Sequence, residues 1–552
     1  MNNDRPVLGK KFSTGSRQST LWISFLIGVF IIVGSYNTMF LLRVPVPKAI
    51  TETTSTKQPE VIIQTQEPVT KPFVDKFLSK KYLYPKKFPE LKADESKRKE
   101  IVEAFLNAWN TYKKHAWGTD FLNPISQRGE YVFSGGLTIT DSLDTMYLMG
   151  LYDEFNKSKE WVKKNFKMQG KYSVFEIVIR HLGSFLSTYQ LTGDRLFLEK
   201  AQHVADAIIP LFKENTGFFR TYANFNTDAN GKVTATPHGN EEALISDLGS
   251  IQLEFFTLSY LTGDDKYAKA GSKIYSFLFK HYKNNDLYPE RISTINGNSF
   301  SNVQSIDSMS DSFYEYLIKV WIMTNDTQPV IFDRYMRTAK AIKNQLLVQV
   351  DGWTYITRLT NGLKDYMMTH LATFAAGMLA VGAVKKNPDY LNHLELADKL
   401  VTTYLKLYNS QSTGLMPECV RFDRSSSRFS TCDDAYRLRP ETIESIYVLY
   451  RFTGLQKYRD YAWTIYQNIM KYCKIASGGF ASVENTNRTP PRHIDLMDSY
   501  FLAETLKYLF LIFSDSNVLP TDEWVFNTEA HPLRIWSNEE ALNMKTMINI
   551  QE

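Results

Sequence analysis

The sequence lacks the features that mark several large classes of protein. Only three of its 552 residues are cysteines, and none has the Cys/His spacing of a zinc site. Cys419 and Cys432 flank one loop and could form a disulfide, which would leave Cys473 unpaired. The chain has no glycine-rich phosphate loop and no Gly-x-Ser-x-Gly elbow. A Ser/His/Asp triad remains an alternative that no motif supports.

The chain also lacks a strong excess of charge. Its net charge is only +5, and the body carries no dense basic stripe, so we expect no nucleic-acid partner. With 43% hydrophobic and 22% charged residues, the composition is that of a globular protein. Aromatic residues make up 14%, which suits carbohydrate binding and a large helical core equally well.

The N-terminal region divides into three segments. Residues 1–20 carry four basic side chains against one acid, and residues 21–42 form an uncharged stretch long enough to span a bilayer. The basic excess before this stretch predicts a cytoplasmic tail and a single-pass type II anchor with a lumenal body. A cleaved signal peptide is the alternative. Residues 43–95, rich in Pro, Thr, Lys and Glu, are predicted to be an extended lumenal stem.

The folded body is predicted to run from residue 96 to residue 552. Apolar residues recur every four positions from Ile101, as on one face of a helix. A lumenal location also agrees with three Asn-x-Ser/Thr sequons in the body. These sequons begin at Asn156, Asn325 and Asn487.

Residues 439–445, with the sequence RPETIES, open a long apolar run. Proline suits the first turn of a helix, and acidic residues there meet the positive end of the helix dipole. Glu441 and Glu444 are three residues apart and share one helix face. Such a pair is either a charged first turn in water or part of an acid/base or metal site.

The same arrangement recurs, because an acidic residue begins a largely apolar helix at four further places. These acids are Glu176 with Arg180 after it, Asp247, Asp311 with Glu315, and Asp498 with Glu504. Three of the helices end at a Thr-Gly turn that leads into a more polar helix. Repeated pairs of one buried and one amphipathic helix predict a closed ring of hairpins, with the acidic helix starts converging at one end.

Taken together, these segments resemble the class I α-mannosidases, glycoside hydrolase family 47, from about Ala116 to Leu533. Further matching motifs are residues 116–120 (AWGTD), 136–145 (GLTITDSLDT), 413–418 (TGLMPE) and 526–532 (FNTEAHP). The resemblance implies an all-α fold, an (α/α)7 barrel with a C-terminal plug hairpin. It also implies calcium-dependent, inverting hydrolysis of terminal α-1,2-linked mannose from high-mannose N-glycans, in the Golgi or the endoplasmic reticulum.

The resemblance implies roles for four carboxylates. Glu176 is the favoured general acid, acting directly or through a water, and Glu441 is the general base. Asp311 and Glu418 are further carboxylates of the reaction centre, and which group donates the proton stays open. In inverting enzymes the acid and the base lie roughly 6.5–9.5 Å apart, which leaves room for the attacking water.

The resemblance also implies a metal ligand and a set of substrate-binding residues. Calcium is expected on the hydroxyl and carbonyl oxygens of Thr528, with waters completing an all-oxygen shell. Without the motif, His370 would equally well be a core histidine on an apolar helix. The implied substrate-binding positions are Arg180, His370, Arg439, Glu444, Asp498, Glu504 and Met309.

The chain departs from the family pattern at two pairs of positions. Asp247 and Asp498 stand where the family usually has glutamate, and each is one methylene shorter. Thr373 and Tyr404 stand where the usual disulfide has its cysteines. These changes favour an alternative, a quality-control, lectin-like relative with weak or no hydrolysis. The complete set of four reaction-centre carboxylates favours hydrolysis, and a catalytically silent helical scaffold is a further alternative.

Met309 bears on specificity, because it lies two residues before Asp311. At this position the endoplasmic-reticulum type carries an arginine that grips one glycan branch, whereas the Golgi type carries leucine. A thioether cannot supply the forked donors of a guanidinium, and methionine is flexible and apolar. The sequence therefore predicts broad, Golgi-like trimming past the eight-mannose product.

Overall fold

The computed structural model describes residues 83–132, 135–426 and 428–552. The predicted cytoplasmic tail, the predicted membrane anchor at 21–42 and most of the predicted stem lie outside these residues. Within the described part of the chain, no helix is both long and apolar enough to cross a membrane.

The body is built around a ring of paired helices. In chain order the helices are α1 Glu95–His115, α2 Leu143–Leu148, α3 Tyr152–Asn165, α4 Gly183–Thr192, α5 Arg195–Ile208, α6 Gln252–Thr262, α7 Lys266–His281, α8 Asp311–Met323, α9 Pro329–Ala341, α10 Ala375–Val381, α11 Tyr390–Asn409, α12 Glu441–Thr453, α13 Gln456–Tyr472 and α14 Leu506–Ile512. Each even-numbered helix packs against the helix that follows it, and α14 packs against α1.

The even-numbered helices form the inner wall, and this wall closes on itself. Each of them contacts the next even-numbered helix, from α2 through to α14. A π-helical turn, Phe501–Thr505, precedes α14 and contacts α2, which completes the circle. The predicted ring of helical hairpins is confirmed.

Burial explains which helix of each pair lies inside. Every residue of α8 after Asp311 is buried, whereas α5 buries only the stripe that includes Phe197, Ala201 and Val204. Glycine ends several inner helices, as at Gly193 and Gly263, both with φ 74°. Most side chains avoid that left-handed conformation, so glycine allows the chain to reverse there into the outer helix.

Short strands and turns at the ends of the helices make the predicted all-α description incomplete. The strands are β1 Phe121–Asn123, β2 Arg128–Glu130, β3 Gly170–Ser173, β4 Tyr222–Thr227, β5 Val233–His238, β6 Glu242–Leu244, β7 Arg291–Ser293, β8 Val303–Gln304, β9 Leu347–Val350, β10 Trp353–Ile356, β11 Leu359–Thr360, β12 Leu363–Lys364, β13 Met367–Thr369, β14 Cys419–Phe422, β15 Phe429–Asp433, β16 Ser482–Val483, β17 His493–Ile494, β18 Trp524–Phe526 and β19 Pro532–Arg534. The remaining short helices are Leu137–Asp141, Val174–Glu176, Ile245–Gly249 and Asn538–Met544, with 3-10 turns at Ile209–Leu211 and Leu371–Phe374 and π-helical turns at Ile177–Leu182 and Ile342–Leu346. The long connections between hairpins pair their backbone groups in these strands.

Two of these sheets position the site. In the three-stranded sheet β13–β14–β15, a disulfide joins Cys419 to Cys432, and β13 leads directly into His370. Cys473 is buried and free. The antiparallel hairpin of β18 and β19 contacts the inner helices α8 and α4, as expected for a plug.

Packing begins before the predicted start of the body at residue 96. Tyr84 is buried, and its ring meets the ring of Phe452 edge-on with 5.1 Å between centroids. The backbone N–H of Leu91 donates to Ser516 Oγ at 3.1 Å, and Asp94 caps α1. The last residues of the predicted stem therefore pack on the barrel.

Candidate active site

Glu441 begins α12, as the sequence predicts, and His370 orients its carboxylate. His370 Nδ1 lies 2.8 Å from Glu441 Oε2, and His370 Nε2 lies 2.9 Å from Tyr408 Oη. Burial alone would raise the pKa of Glu441, but the hydrogen bond from His370 and the charge of Arg439 bring it below its ordinary value. Glu441 is therefore ionised at neutral pH, as a general base must be.

Glu418 lies beside this pair and has one unpartnered oxygen. Arg439 Nε donates to Glu418 Oε2 at 2.7 Å, and Arg437 Nε lies 3.8 Å from the same oxygen. The backbone N–H of His370 donates to the carbonyl of Glu418 at 2.8 Å, which ties the two segments together. Glu418 Oε1 is buried and accepts no hydrogen bond from the described residues. Because buried polar atoms are ordinarily paired, this oxygen is available to a water or a ligand hydroxyl.

Glu176 is held by Arg180, on a different segment of the chain from Glu441. Arg180 Nε donates to Glu176 Oε2 at 2.6 Å, and the same guanidinium pairs with Glu529 and with Asp141, the latter at 3.4 Å. Glu176 ends the short helix Val174–Glu176, and a π-helical turn carries Arg180 onto the same face. The side chain of Glu176 is 14% exposed, like that of Glu441. Both can therefore reach a substrate.

Tyr500 lies close to the arginine partners of both carboxylates. Its ring centre lies 5.9 Å from the Arg180 guanidinium and 6.0 Å from the Arg439 guanidinium. Its hydroxyl donates to Asp498 Oδ2 at 2.9 Å. Arg180 holds Glu176, and Arg439 lies within 4.0 Å of Glu441. The arginine partners of the predicted acid and of the predicted base thus both lie within 6.0 Å of the centre of one aromatic ring.

Asp247 and Asp498, which stand where the family usually has glutamate, both have hydrogen-bond partners near the site. Thr221 Oγ1 donates to Asp247 Oδ2 at 2.6 Å. Burial, together with the nearby charge of Glu176, raises the pKa of Asp247 to about 7. Burial also raises the pKa of Asp498, despite the hydrogen bond from Tyr500. Both carboxyl groups keep partners that a shorter side chain can reach.

Asp311 begins α8, and Met309 precedes it in a strained turn. The Ser312 N–H donates to Asp311 Oδ1 at 2.7 Å, while burial raises the pKa of Asp311 to about 8. Met309 has φ 85°, unusual for a residue with a side chain, and its carbonyl accepts from both the N–H and the hydroxyl of Ser246. Met309 is half-buried next to the reaction-centre carboxylate.

Several further acids at the site have too few cationic partners. Lys319 pairs with Glu315 and lies 3.3 Å from Glu444. Burial raises the pKa of Glu444, and the charge of Glu315 adds to this. Burial and the neighbouring charges of Glu529 and Glu441 hold the pKa of Glu504 well above its ordinary value. Buried carboxylates that raise one another's pKa create a place where a cation is stabilised.

Thr528 lies at the tip of the plug hairpin, beside this acidic group. Its Oγ1 lies 3.1 Å from Ser312 Oγ, and its N–H points at Tyr316 Oη at 3.4 Å. No cluster of three or more His, Cys, Asp or Glu side chains suited to metal binding occurs among the described residues. Hydroxyl and carbonyl oxygens surrounded by negative charge fit a hard cation such as calcium.

The structure brings most of the predicted site residues together and gives His370 two protein partners. The side chain of His370 is fully buried and both ring nitrogens have partners, so it contacts Glu441 and leaves no free nitrogen for a sugar. Its surroundings are those of a positioning residue, in contrast to the predicted substrate contact. Lys319 and Tyr500, which no sequence pattern had singled out, complete the charge pairing of the site.

Sequence reasoning also missed a buried charge network beneath the site. Lys507 Nζ lies 2.9 Å from Asp144 Oδ1, and His531 Nδ1 lies 2.8 Å from Asp144 Oδ2. His531 Nε2 lies 3.2 Å from Asp141 Oδ1. The acids of the DSLDT motif stand within an apolar run, and acids buried there need cationic partners. That was the available signal.

Comparison with known proteins decides the family. Residues 104–535 match the family model described as Glycosyl hydrolase family 47. The chain belongs to glycosyl hydrolase family 47. It is therefore a glycoside hydrolase, and the family resemblance read from its motifs is confirmed.

Named relatives of this family 47 chain agree. The mannosyl-oligosaccharide alpha-1,2-mannosidase IA of Spodoptera frugiperda is 39% identical over 477 residues, which cover 84% of this chain and 70% of the relative. The endoplasmic reticulum mannosyl-oligosaccharide 1,2-alpha-mannosidase of Homo sapiens is 37% identical, over 80% of this chain and 64% of the relative. The solved structure of the alpha-1,2-mannosidase from Trichoderma reesei has a TM-score of 0.74 and 26% identity, and covers 81% of this chain and 100% of that one.

Proposed function

We propose that this glycoside hydrolase is a calcium-dependent, inverting α-1,2-mannosidase that trims terminal mannose from high-mannose N-glycans. The observation that carries the proposal is a pair of carboxylates with fixed partners: Glu441 is held ionised by His370, and Glu176 is held by Arg180. The similar proteins described above are named as mannosyl-oligosaccharide 1,2-α-mannosidases, which supports this substrate.

Glu441 acts as the general base. Its carboxylate removes a proton from a water that attacks the anomeric carbon on the face opposite the leaving oxygen. His370 fixes the orientation of the carboxylate, and the unpartnered Glu418 Oε1 accepts a hydrogen bond from the same water or from a sugar hydroxyl. Inversion follows because attack and departure occur on opposite faces of one sugar ring.

Glu176 supplies the proton to the leaving oxygen, directly or through a water. Arg180 fixes the position of its carboxyl group. Asp311 is the second candidate for this role, because burial raises its pKa to about 8 and it therefore retains a proton at neutral pH. Separate Glu176→Gln and Asp311→Asn variants distinguish the two assignments, since the true donor is the one whose loss removes the alkaline limb of the pH–rate profile.

Calcium suits the residues at the tip of the plug. Thr528 would hold it through its hydroxyl and carbonyl oxygens, and the surrounding acids balance its charge. When bound, it supplies a positive charge that orients sugar hydroxyls at the bottom of the cavity. Ser312 and Tyr316 keep the Thr528 segment in place.

We propose a type II membrane orientation with the barrel in the lumen of the Golgi or the endoplasmic reticulum. The basic N-terminus, the apolar stretch at 21–42 and the sequons support this topology. One of the named relatives is an endoplasmic reticulum enzyme, which supports a place in the secretory pathway.

The test is to incubate the purified full chain and calcium with a nine-mannose glycan. Products are followed by mass analysis, and the anomer released first is identified by NMR. Release of β-mannose supports the proposal, whereas α-mannose overturns the inverting mechanism. Glycan binding without products would identify the quality-control, lectin-like alternative. Neither binding nor hydrolysis would leave the silent scaffold.

A further inference from the structure

The turn before α8 is held in a single conformation by its own hydrogen bonds. The carbonyl of Asp307 accepts from the N–H groups of Ser310 and Asp311, at 3.0 and 2.9 Å. The carbonyl of Met309 is held by Ser246, as described above. The turn therefore fixes the position of Asp307 relative to Asp311, at the edge of the reaction centre.

Only half of the Asp307 carboxylate is used by the protein. Its Oδ1 accepts from the Ser308 N–H at 2.9 Å and from the Thr369 hydroxyl. Its Oδ2 accepts no hydrogen bond from any described residue, and it is not one of the fully buried atoms that lack a partner, so this oxygen reaches solvent although Asp307 as a whole is only 6% exposed. A solvent-accessible carboxylate oxygen without a protein partner can accept a hydrogen bond from a ligand hydroxyl.

The charges around Asp307 place it among the site residues. Burial raises its pKa, while Arg358 and Arg439 favour the ionised form. Asp307 in turn raises the pKa of Asp311, so the two carboxylates are close enough to interact. Its partner Thr369 directly precedes His370, the residue that orients Glu441. Asp307 therefore lies between the segments that carry two reaction-centre carboxylates.

We propose that Asp307 Oδ2 accepts a hydrogen bond from a hydroxyl of the sugar that adjoins the cleaved mannose, and so fixes the leaving side of the substrate. Sugar hydroxyls donate well to carboxylates, and bonds to a charged acceptor are stronger than neutral ones. This inference rests on the proposed function. It adds a specificity residue, with a charge, to the half-buried Met309 two positions further along.

The Asp307→Asn variant separates binding from folding. Its amide oxygen can still accept from Ser308 and Thr369, but the free acceptor becomes a donor. Glu290→Gln is the matched control, because Glu290 is a buried acid near the same turn that accepts from Ser305 Oγ at 2.7 Å. Both variants replace a buried carboxyl group by its amide.

The experiment measures kcat/KM of the full chain, with calcium, on nine-mannose glycan and on the disaccharide mannose-α-1,2-mannose. We expect Asp307→Asn to lose about 10- to 100-fold on both substrates, chiefly through KM, with an unchanged Tm. Glu290→Gln should stay within about twofold of wild type, as a group outside the contact should.

Three results would overturn the inference. Equal losses in the two variants would assign the effect to the charge of the turn. A loss confined to the larger glycan would place the contact on a more distant sugar. An unchanged rate in a folded Asp307→Asn variant would remove the contact altogether. A wild type inactive on both substrates contradicts the proposed function itself, which keeps the two failures distinct.

Discussion

Two groups of buried charges lie in the same barrel and behave differently. In the lower group, Asp141, Asp144, Lys507 and His531 are fully buried and pair with one another. The upper group is the set of carboxylates at the candidate site, among them Glu176, Glu444 and Glu504. The side chain of Glu176, for example, is 14% exposed. In the lower group, positive and negative side chains balance each other. In the upper group, carboxylates outnumber the cationic side chains.

The difference shows how one set of residue types serves both stability and chemistry. Burial alone would raise the pKa of Asp141, but His531 and Arg180 lower it from the ordinary 3.8 to about 2. In the upper group, Glu504 and Glu444 have raised pKa values because they are buried and lie near other acids, with too few cations to compensate. Removing one partner of a buried charge pair destabilises the native fold, whereas a buried charge without a partner is a candidate for ligand binding.

The largest expected effect is on the upper group. Glu441→Gln should lower kcat by about 10²–10⁴-fold or more, because a neutral amide cannot take the proton of the attacking water. The Tm should change little, since the amide can still bond with His370. Glu395→Gln, on the surface of α11, is the control for kcat and Tm. A folded Glu441→Gln variant that trims at the wild-type rate would show that Glu441 is not the base.

The lower group should respond in stability. Lys507→Met should cost about 3–5 kcal/mol of unfolding free energy, because it removes one of the two cationic partners of the buried Asp144 and leaves only His531. Lys266→Met is the matched surface variant, with 42% of its side chain exposed and pairs to Asp206 and Asp264, and should cost about 1 kcal/mol or less. Denaturant unfolding measures both. Similar costs for the two lysines would mean that the lower network does not stabilise the fold.

Removal of calcium should affect both properties. Chelation should abolish trimming and lower the Tm, because a ligand that binds only the native state stabilises it by about 2.7 kcal/mol at 100 times its Kd. Thr528→Ala should reproduce part of this, and Thr528→Ser should not, since serine keeps the hydroxyl. Full activity and an unshifted Tm in excess chelator would refute the metal assignment.

The lower group also predicts a pH dependence of stability. Burial alone would lower the pKa of His531, yet Asp144 and Asp141 raise it above the ordinary 6.5. Its contribution is therefore complete below pH 6.5 and is lost as the pH rises through the raised value. Asp141 contributes above 3.8 and loses this as the pH falls through about 2. His531→Gln should flatten the alkaline decline of the Tm, and exposed His281→Gln should not; equal slopes would contradict this.

The smallest effect is on the order of products. Wild type and Met309→Leu should trim nine-mannose glycan past the eight-mannose product towards the five-mannose one, because neither side chain can grip a single branch. Met309→Arg should accumulate an eight-mannose product, seen in a time course by mass analysis. A wild type that stops at one eight-mannose isomer, even at high enzyme concentration, would favour an endoplasmic-reticulum role.

Sequence reasoning reached the ring of hairpins and most of the upper group. Glu176, Glu441 and Asp311 stood out because each lies at or near the start of an apolar helical run, and such starts meet where the inner helices converge. The partners of His370 could not be predicted, since only the fold brings Tyr408 and Glu441 to its two nitrogens. The strands at the helix ends were missed, because they are too short to show a period of two.

The sequence by itself determined the family and the pairing of buried and amphipathic helices. These features depend on local periodicity and on short motifs, both of which can be read directly from the sequence. Only the tertiary structure decided which charges are paired. Asp141 and His531 are 390 positions apart, yet their side chains meet at the bottom of the barrel. The pKa of a buried carboxyl group depends on neighbours that are distant in the sequence. The sequence alone therefore does not distinguish a buried charge that has a partner from one that has none.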